Sequence, residues 1–186
     1  AQSLEDRARL HQRAAAFGRL LETQPLKADY HMARGITLAQ LGDKEEALKG
    51  MRRAIQMNPN AAELKVNVAT LLNEIDEHKE AITMADAALR QRPDFAEAFN
   101  AKAIALARMG NRAEALRLTE RAASMRPNFL PYQFNLVHLF MLDGRGERAI
   151  AILDGGLAAQ PGHRVARQMK RQITAQMNGS GPMMPQ

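Results

Sequence analysis

Five histidines, His11, His31, His78, His138 and His163, are the side chains in this chain best suited to holding a metal or moving protons. They fall on separate segments, and none stands in an HExxH or comparable ligand spacing, so no metal site follows from them. Three serines, Ser3, Ser124 and Ser180, lie outside any G-x-S-x-G elbow, and Gly144-Arg145-Gly146 lacks the lysine and the spacing of a phosphate loop. Carboxylates such as Glu45 and Glu46 open a predicted helix, where the helix dipole favours an acid without any catalytic role. There is no cysteine, which excludes disulfides, thiolate metal sites and cysteine nucleophiles and fits oxidising and reducing compartments alike. The residues therefore assign no catalytic group, metal or cofactor, and the chain reads as non-enzymatic.

What remains is a question of elements. Apolar residues make up 46% of the 186, enough for a continuous core, while aromatics are 4% and tryptophan is absent. Alanine, leucine and methionine dominate over β-branched and aromatic residues, which predicts an all-α protein. Of the net charge of +6, residues 164–186 carry +4, through Arg164, Arg167, Lys170 and Arg171. That is no basic stripe interleaved with aromatics, so nucleic acid is disfavoured as a partner. No apolar run approaches the ~20 residues that cross a bilayer, and no transmembrane segment is expected. The sequence starts at Ala1 without an apolar leader, so a targeting segment would lie outside it, and cytoplasmic and periplasmic locations both stay open.

Prolines at 25, 59, 93, 127 and 161 recur every 34 residues, each at the end of an alanine-rich amphipathic pattern. Between them the chain reads as four units, 28–61, 62–95, 96–129 and 130–163, each with two helical patterns around a turn. Gly42, Gly110 and Gly144 supply the left-handed residue that closes three of these turns. Asp76 stands in the fourth, where a longer or looser turn is expected. Residues 3–23 predict a helix capped by Ser3, with Leu10, Ala14, Phe17, Leu20 and Leu21 facing the core, so that 1–27 forms an N-terminal capping element. Val165, Met169, Ile173 and Met177 predict one apolar stripe on a C-terminal solvating helix over 164–177, followed by a flexible tail at 178–186.

Within the 34-residue frame, Gly35, Ala69, Ala103 and Val137 occupy one register position, Ala47, Ala81, Ala115 and Ala149 a second, and Ala54, Ala88, Ala122 and Gly156 a third. With the prolines, these residues resemble the small-8, Ala-20, small-27, Pro-32 pattern of tetratricopeptide (TPR) repeats, and only Val137 departs from it. Small residues are needed there because the two helices of a repeat cross closely. The resemblance implies one TPR domain over 1–177, a right-handed α-α superhelix of helix-turn-helix repeats. Position 4, often a large aromatic in the family, is His31, Lys65 and Gln133 here and aromatic only as Phe99. Val137 and Gly155-Gly156 predict that the fourth repeat packs unlike the others.

The resemblance further implies a concave groove lined by the first helix of each repeat. In this sequence the groove positions are Met32, Ile36, Val66, Asn67, Thr70, Asn73, Asn100, Ile104, Phe134, Asn135, His138 and Met141. Apolar members would anchor a peptide or helix, and the asparagines would hydrogen-bond its backbone, since an amide both donates and accepts. Core packing of the apolar members and plain solvation of the amides are the competing readings. Chaperone-binding members of the family clamp a C-terminal carboxylate with lysine and arginine. Met32, Ile36, Asn67, Glu97 and Ala101 stand in that region here, and such a clamp is disfavoured. The function expected is a protein-interaction scaffold. Two alternatives stay open: a substrate-recruiting segment of a larger enzyme, and a self-assembling, homo-oligomeric scaffold of a bacterial envelope or pilus assembly machine.

Overall fold

A computed structural model describes residues 3–179, and among them ten helices and no strand occur. α1 spans Leu4–Thr23, α2 Ala28–Leu41, α3 Lys44–Met57, α4 Ala62–Glu74 and α5 His78–Gln91. α6 spans Ala96–Arg108, α7 Arg112–Met125, α8 Leu130–Leu142, α9 Gly146–Ala159 and α10 Arg164–Met177. The chain packs as two compact units, residues 1–105 and 106–186, divided within α6. Most of the tail predicted over 178–186 lies outside the described residues, which end in a turn at Asn178-Gly179.

All four turns inside the helix pairs close the same way. The N–H groups of Asp43, Glu77, Asn111 and Arg145 reach back to the carbonyls of Leu38, Leu72, Leu106 and Phe140 at 2.8–2.9 Å. This six-residue closure needs one left-handed residue, and Asp76 adopts it with φ +62° where the other turns use glycine. The second turn is thus no longer or looser than its neighbours, contrary to the sequence expectation. Aspartate tolerates this conformation better than most L-residues, although it costs free energy there.

The core of the first unit is a layer of small and branched residues, among them Ala47, Met51, Val68, Leu72, Ala81 and Ala85, from α3, α4 and α5. In the second unit Leu136, Val137, Phe140, Leu153 and Ile173 are buried on α8, α9 and α10. In the fourth repeat a cavity of about 270 Å³ lies between α8 and α9, lined by Leu130, Gln133, Ile152, Gly155 and Gly156 among others. Gln133 leaves unfilled the space that a large aromatic at its position would occupy, and the two glycines present no side chain to it.

The polar residues at position 4 share one task. His31 Nε2 hydrogen-bonds the Pro25 carbonyl at 2.9 Å, Lys65 Nζ donates to the Pro59 carbonyl, and Gln133 Nε2 donates to the Pro127 carbonyl at 3.3 Å. Each satisfies a carbonyl in the loop that the proline leaves without helical partners. Lys65 is only 8% exposed, and burial, with the charge of Arg90 adding to it, pushes its ammonium pKa down. For a lysine lowered on folding, unfolding takes up a proton, so stability rises with pH from the folded pKa toward the ordinary value near 10.5. Lys65→Met keeps the apolar stem, and Gln91 Nε2 still donates to the Pro59 carbonyl at 2.8 Å. Thermal unfolding is expected to place the variant within about 1 kcal/mol of the parent at pH 7 and to remove the parent's rise in stability on the alkaline side.

The terminal helices need correction. In α1, Ser3 caps the helix by accepting from Asp6 N–H at 3.1 Å and Ala14 is buried, but Leu20 is 38% exposed and leaves the expected core stripe. In α10, Ile173 is fully buried and Met169 half-buried, whereas Val165 and Met177 are 51% and 47% exposed. Ala166 is the buried residue of the first turn instead, so the packed face is turned by one position.

Candidate peptide-binding groove

Eight of the twelve groove residues belong to the first compact unit. Met32 and Ile36, on α2, are half-buried and pack against the edge of the core, leaving part of each side chain open. Val66, on α4, is 6% exposed and belongs to the core itself, so it is unavailable as an anchor in this conformation. Thr70 is exposed and donates to the Val66 carbonyl one turn earlier at 3.0 Å.

The asparagines of α4 differ from one another. Asn73 is committed to the protein: its Nδ2 donates to the Ala101 carbonyl on α6 at 2.8 Å, and its Oδ1 accepts from His78 Nδ1 at 3.2 Å. It fixes α6 on α4, a structural use of the amide that the sequence reading did not separate from peptide binding. Asn67, two turns earlier and half-buried, has no hydrogen-bond partner among the described residues. Asn100 and Ile104, on α6, are half-buried.

The remaining four residues lie on α8 in the second unit. Phe134 packs against His163, whose ring is 5.6 Å away and whose Nδ1 caps α10 by accepting from Ala166 N–H. Asn135 and Met141 are half-buried, and His138 is exposed. His163 thus joins the site as a neighbour that sequence reasoning missed; its place just before a helix was the available signal.

Charge around the α4 face is balanced by pairs between successive helices. Arg92 pairs with Glu63 at 2.6 Å, Lys44 with Glu74 at 3.3 Å, and Lys102 with Asp86 at 2.8 Å. The Glu63 carboxyl is held below its ordinary pKa, first by its own backbone N–H and then by Arg92. Among the described residues no cluster of three or more His, Cys, Asp or Glu could hold a metal ion, and no helix is long and apolar enough to cross a membrane.

Antiparallel helix pairs with small residues at their crossings define an α-helical repeat protein. The profile of the tetratricopeptide repeat matches residues 1–159, and the chain belongs to that family. Solved structures share the fold at low identity. PilW, described as a type IV pilus biogenesis factor, superposes with a TM-score of 0.82 at 21% identity, covering 95% of this chain and 80% of its own. TTC0263, a thermophilic TPR protein of Thermus thermophilus, gives 0.77 at 17%, covering 90% and 91%. YrrB, described as a TPR protein with an unusual peptide-binding site, gives 0.66 at 20%, covering 90% and 86%. No curated protein sequence matches the chain.

Proposed function

We propose that the chain is a non-enzymatic protein-interaction module that holds an extended peptide or a helix of a partner protein against its first helices. The observation that carries this reading is Asn67: a half-buried amide with no partner among the described residues, on the helix pair after the one bearing the half-open Met32 and Ile36. An amide so placed offers a donor and an acceptor to a peptide backbone, and the apolar pair offers a footing for one side chain. Membership of the TPR family and the peptide-binding site described for YrrB agree with such a role. Met32, Ile36, Asn67, Thr70 and Ile104 are the contacts, all in the first unit, and Val66 and Asn73 act as supports behind them.

Peptides selected against the full chain from a random library test this directly. Asn67→Ala is expected to weaken the selected peptides by about 1–2 kcal/mol, roughly five- to thirty-fold, with an unchanged melting temperature. Affinity that survives Asn67→Ala and Ile36→Ser alike would place binding elsewhere and defeat the proposal.

A further inference from the structure

Among the described residues nothing covers the outer face of α10, and the repeat register identifies that face. In α4 two stripes are buried: Leu64, Val68 and Leu71 on one side, and Ala62, Lys65, Ala69 and Leu72 on the other. The second stripe is the one each first helix turns to its own second helix. Gly35, the α2 residue equivalent to Ala69, shows this, because a Cβ there would stand 3.0 Å from the Ala47 carbonyl of α3. Three repeat lengths on from α4, the first stripe becomes Ala166, Lys170 and Ile173, and the second becomes Arg164, Arg167, Arg171 and Thr174.

The two stripes have different fates in α10. Ala166 and Ile173 are buried and Lys170 pairs with Asp154 of α9 at 2.5 Å, while Arg164, Arg167, Arg171 and Thr174 are all exposed. At about 100° per residue the three arginines fall within about 60° of arc. None pairs with a carboxylate among the described residues, and Arg167 donates to the Gly162 carbonyl at 3.2 Å. This helix also lies beyond the residues that match the family profile.

We propose that this face docks an acidic helix of a partner protein, seated where the second helix of a repeat would pack, with carboxylates at three- and four-residue intervals against Arg164, Arg167 and Arg171. Charge complementarity argues for this occupant. Three guanidiniums without carboxylate partners disfavour the alanine-rich surface that covers α2 and α4, and each presents a fork that takes a carboxylate through two hydrogen bonds. Ala175, about 20° beside that arc, leaves room for close approach. An anionic bilayer fits less well, because the arginine arc is flanked by Thr174 on one side and by Ala175 and Gln168 on the other, with no large apolar side chain to insert.

The test titrates the full chain with a synthetic helical peptide bearing glutamates at i, i+3 and i+7, and with the same peptide carrying glutamines instead. The glutamate peptide is expected to bind, to perturb the amide resonances of α10, and to be released by about 0.5 M salt. Arg164→Gln, Arg167→Gln and Arg171→Gln together are expected to weaken it at least about tenfold. The same change at Arg7, Arg9 and Arg19, exposed on α1, leaves the affinity unchanged. Absence of binding, equal binding of the glutamine peptide, or equal loss from the α1 variant overturns the proposal. So does co-sedimentation with phosphatidylserine vesicles that the glutamate peptide cannot compete away.

Discussion

Leu72→Ala is expected to lower the stability of the chain by about 3 kcal/mol, read as a shift of the urea midpoint with little change in slope. Leu72 is fully buried on α4, on the stripe turned to α5, within a core otherwise made largely of alanine, valine and leucine. Its truncation removes apolar area and leaves a cavity that helices fixed at alanine crossings cannot close, because Ala69, Ala81 and Ala85 are themselves fully buried and have no longer side chain to swing into the space. The same truncation at Leu142, which is 37% exposed at the end of α8, is expected to change stability by less than about 0.5 kcal/mol. Equal effects at the two positions would contradict the packing described here.

Gly35→Val tests the opposite error on the equivalent stripe of α2 and is expected to cost about 1–3 kcal/mol. A Cβ at residue 35 would stand 2.8 Å from Met51 Cγ and 3.0 Å from the Ala47 carbonyl oxygen. The methionine is flexible, but it is itself 2% exposed and has nowhere to go, and the carbonyl moves only if α3 moves. The helices meet at two glycines, since a Cβ on Gly50 of α3 would lie 3.3 Å from the His31 carbonyl and 3.9 Å from Gly35 Cα. Overpacking therefore outweighs the better helix propensity of the new residue, which elsewhere would favour it. Gly155→Ala is the control: nothing lies within 4 Å of the added methyl on α9, so thermal unfolding should show a gain of up to about 1 kcal/mol. A stabilised Gly35→Val would show that α2 and α3 do not cross where these distances place them.

The periodic features were legible in the residues alone, because they arise from local chemistry repeated at a fixed interval. Proline ends a helix wherever it falls, glycine closes one, and alanine at fixed register marks a crossing, so helix pairs and the TPR fold follow without any long-range information. Even the departures at position 4 carried a signal, since His31, Lys65 and Gln133 each stand six residues after a proline whose carbonyl they satisfy. The tertiary structure alone decided which members of a partly apolar helix face are covered. Val66 and Asn67 are neighbours in sequence and both stand at groove positions of the repeat, yet the valine is drawn into the core and the amide left half-open, because burial depends on how the adjoining helix lies across α4. Asn67 and Asn73 are identical as residue types, but only Asn73 meets a carbonyl of α6 and a histidine of α5, and that is what removes it from binding. Val165 lost its expected place in the packed stripe of α10 to Ala166 for the same reason: a helix packed mainly on α9 turns to bury the face that α9 shapes, and periodicity fixes the stripe's spacing but not its phase.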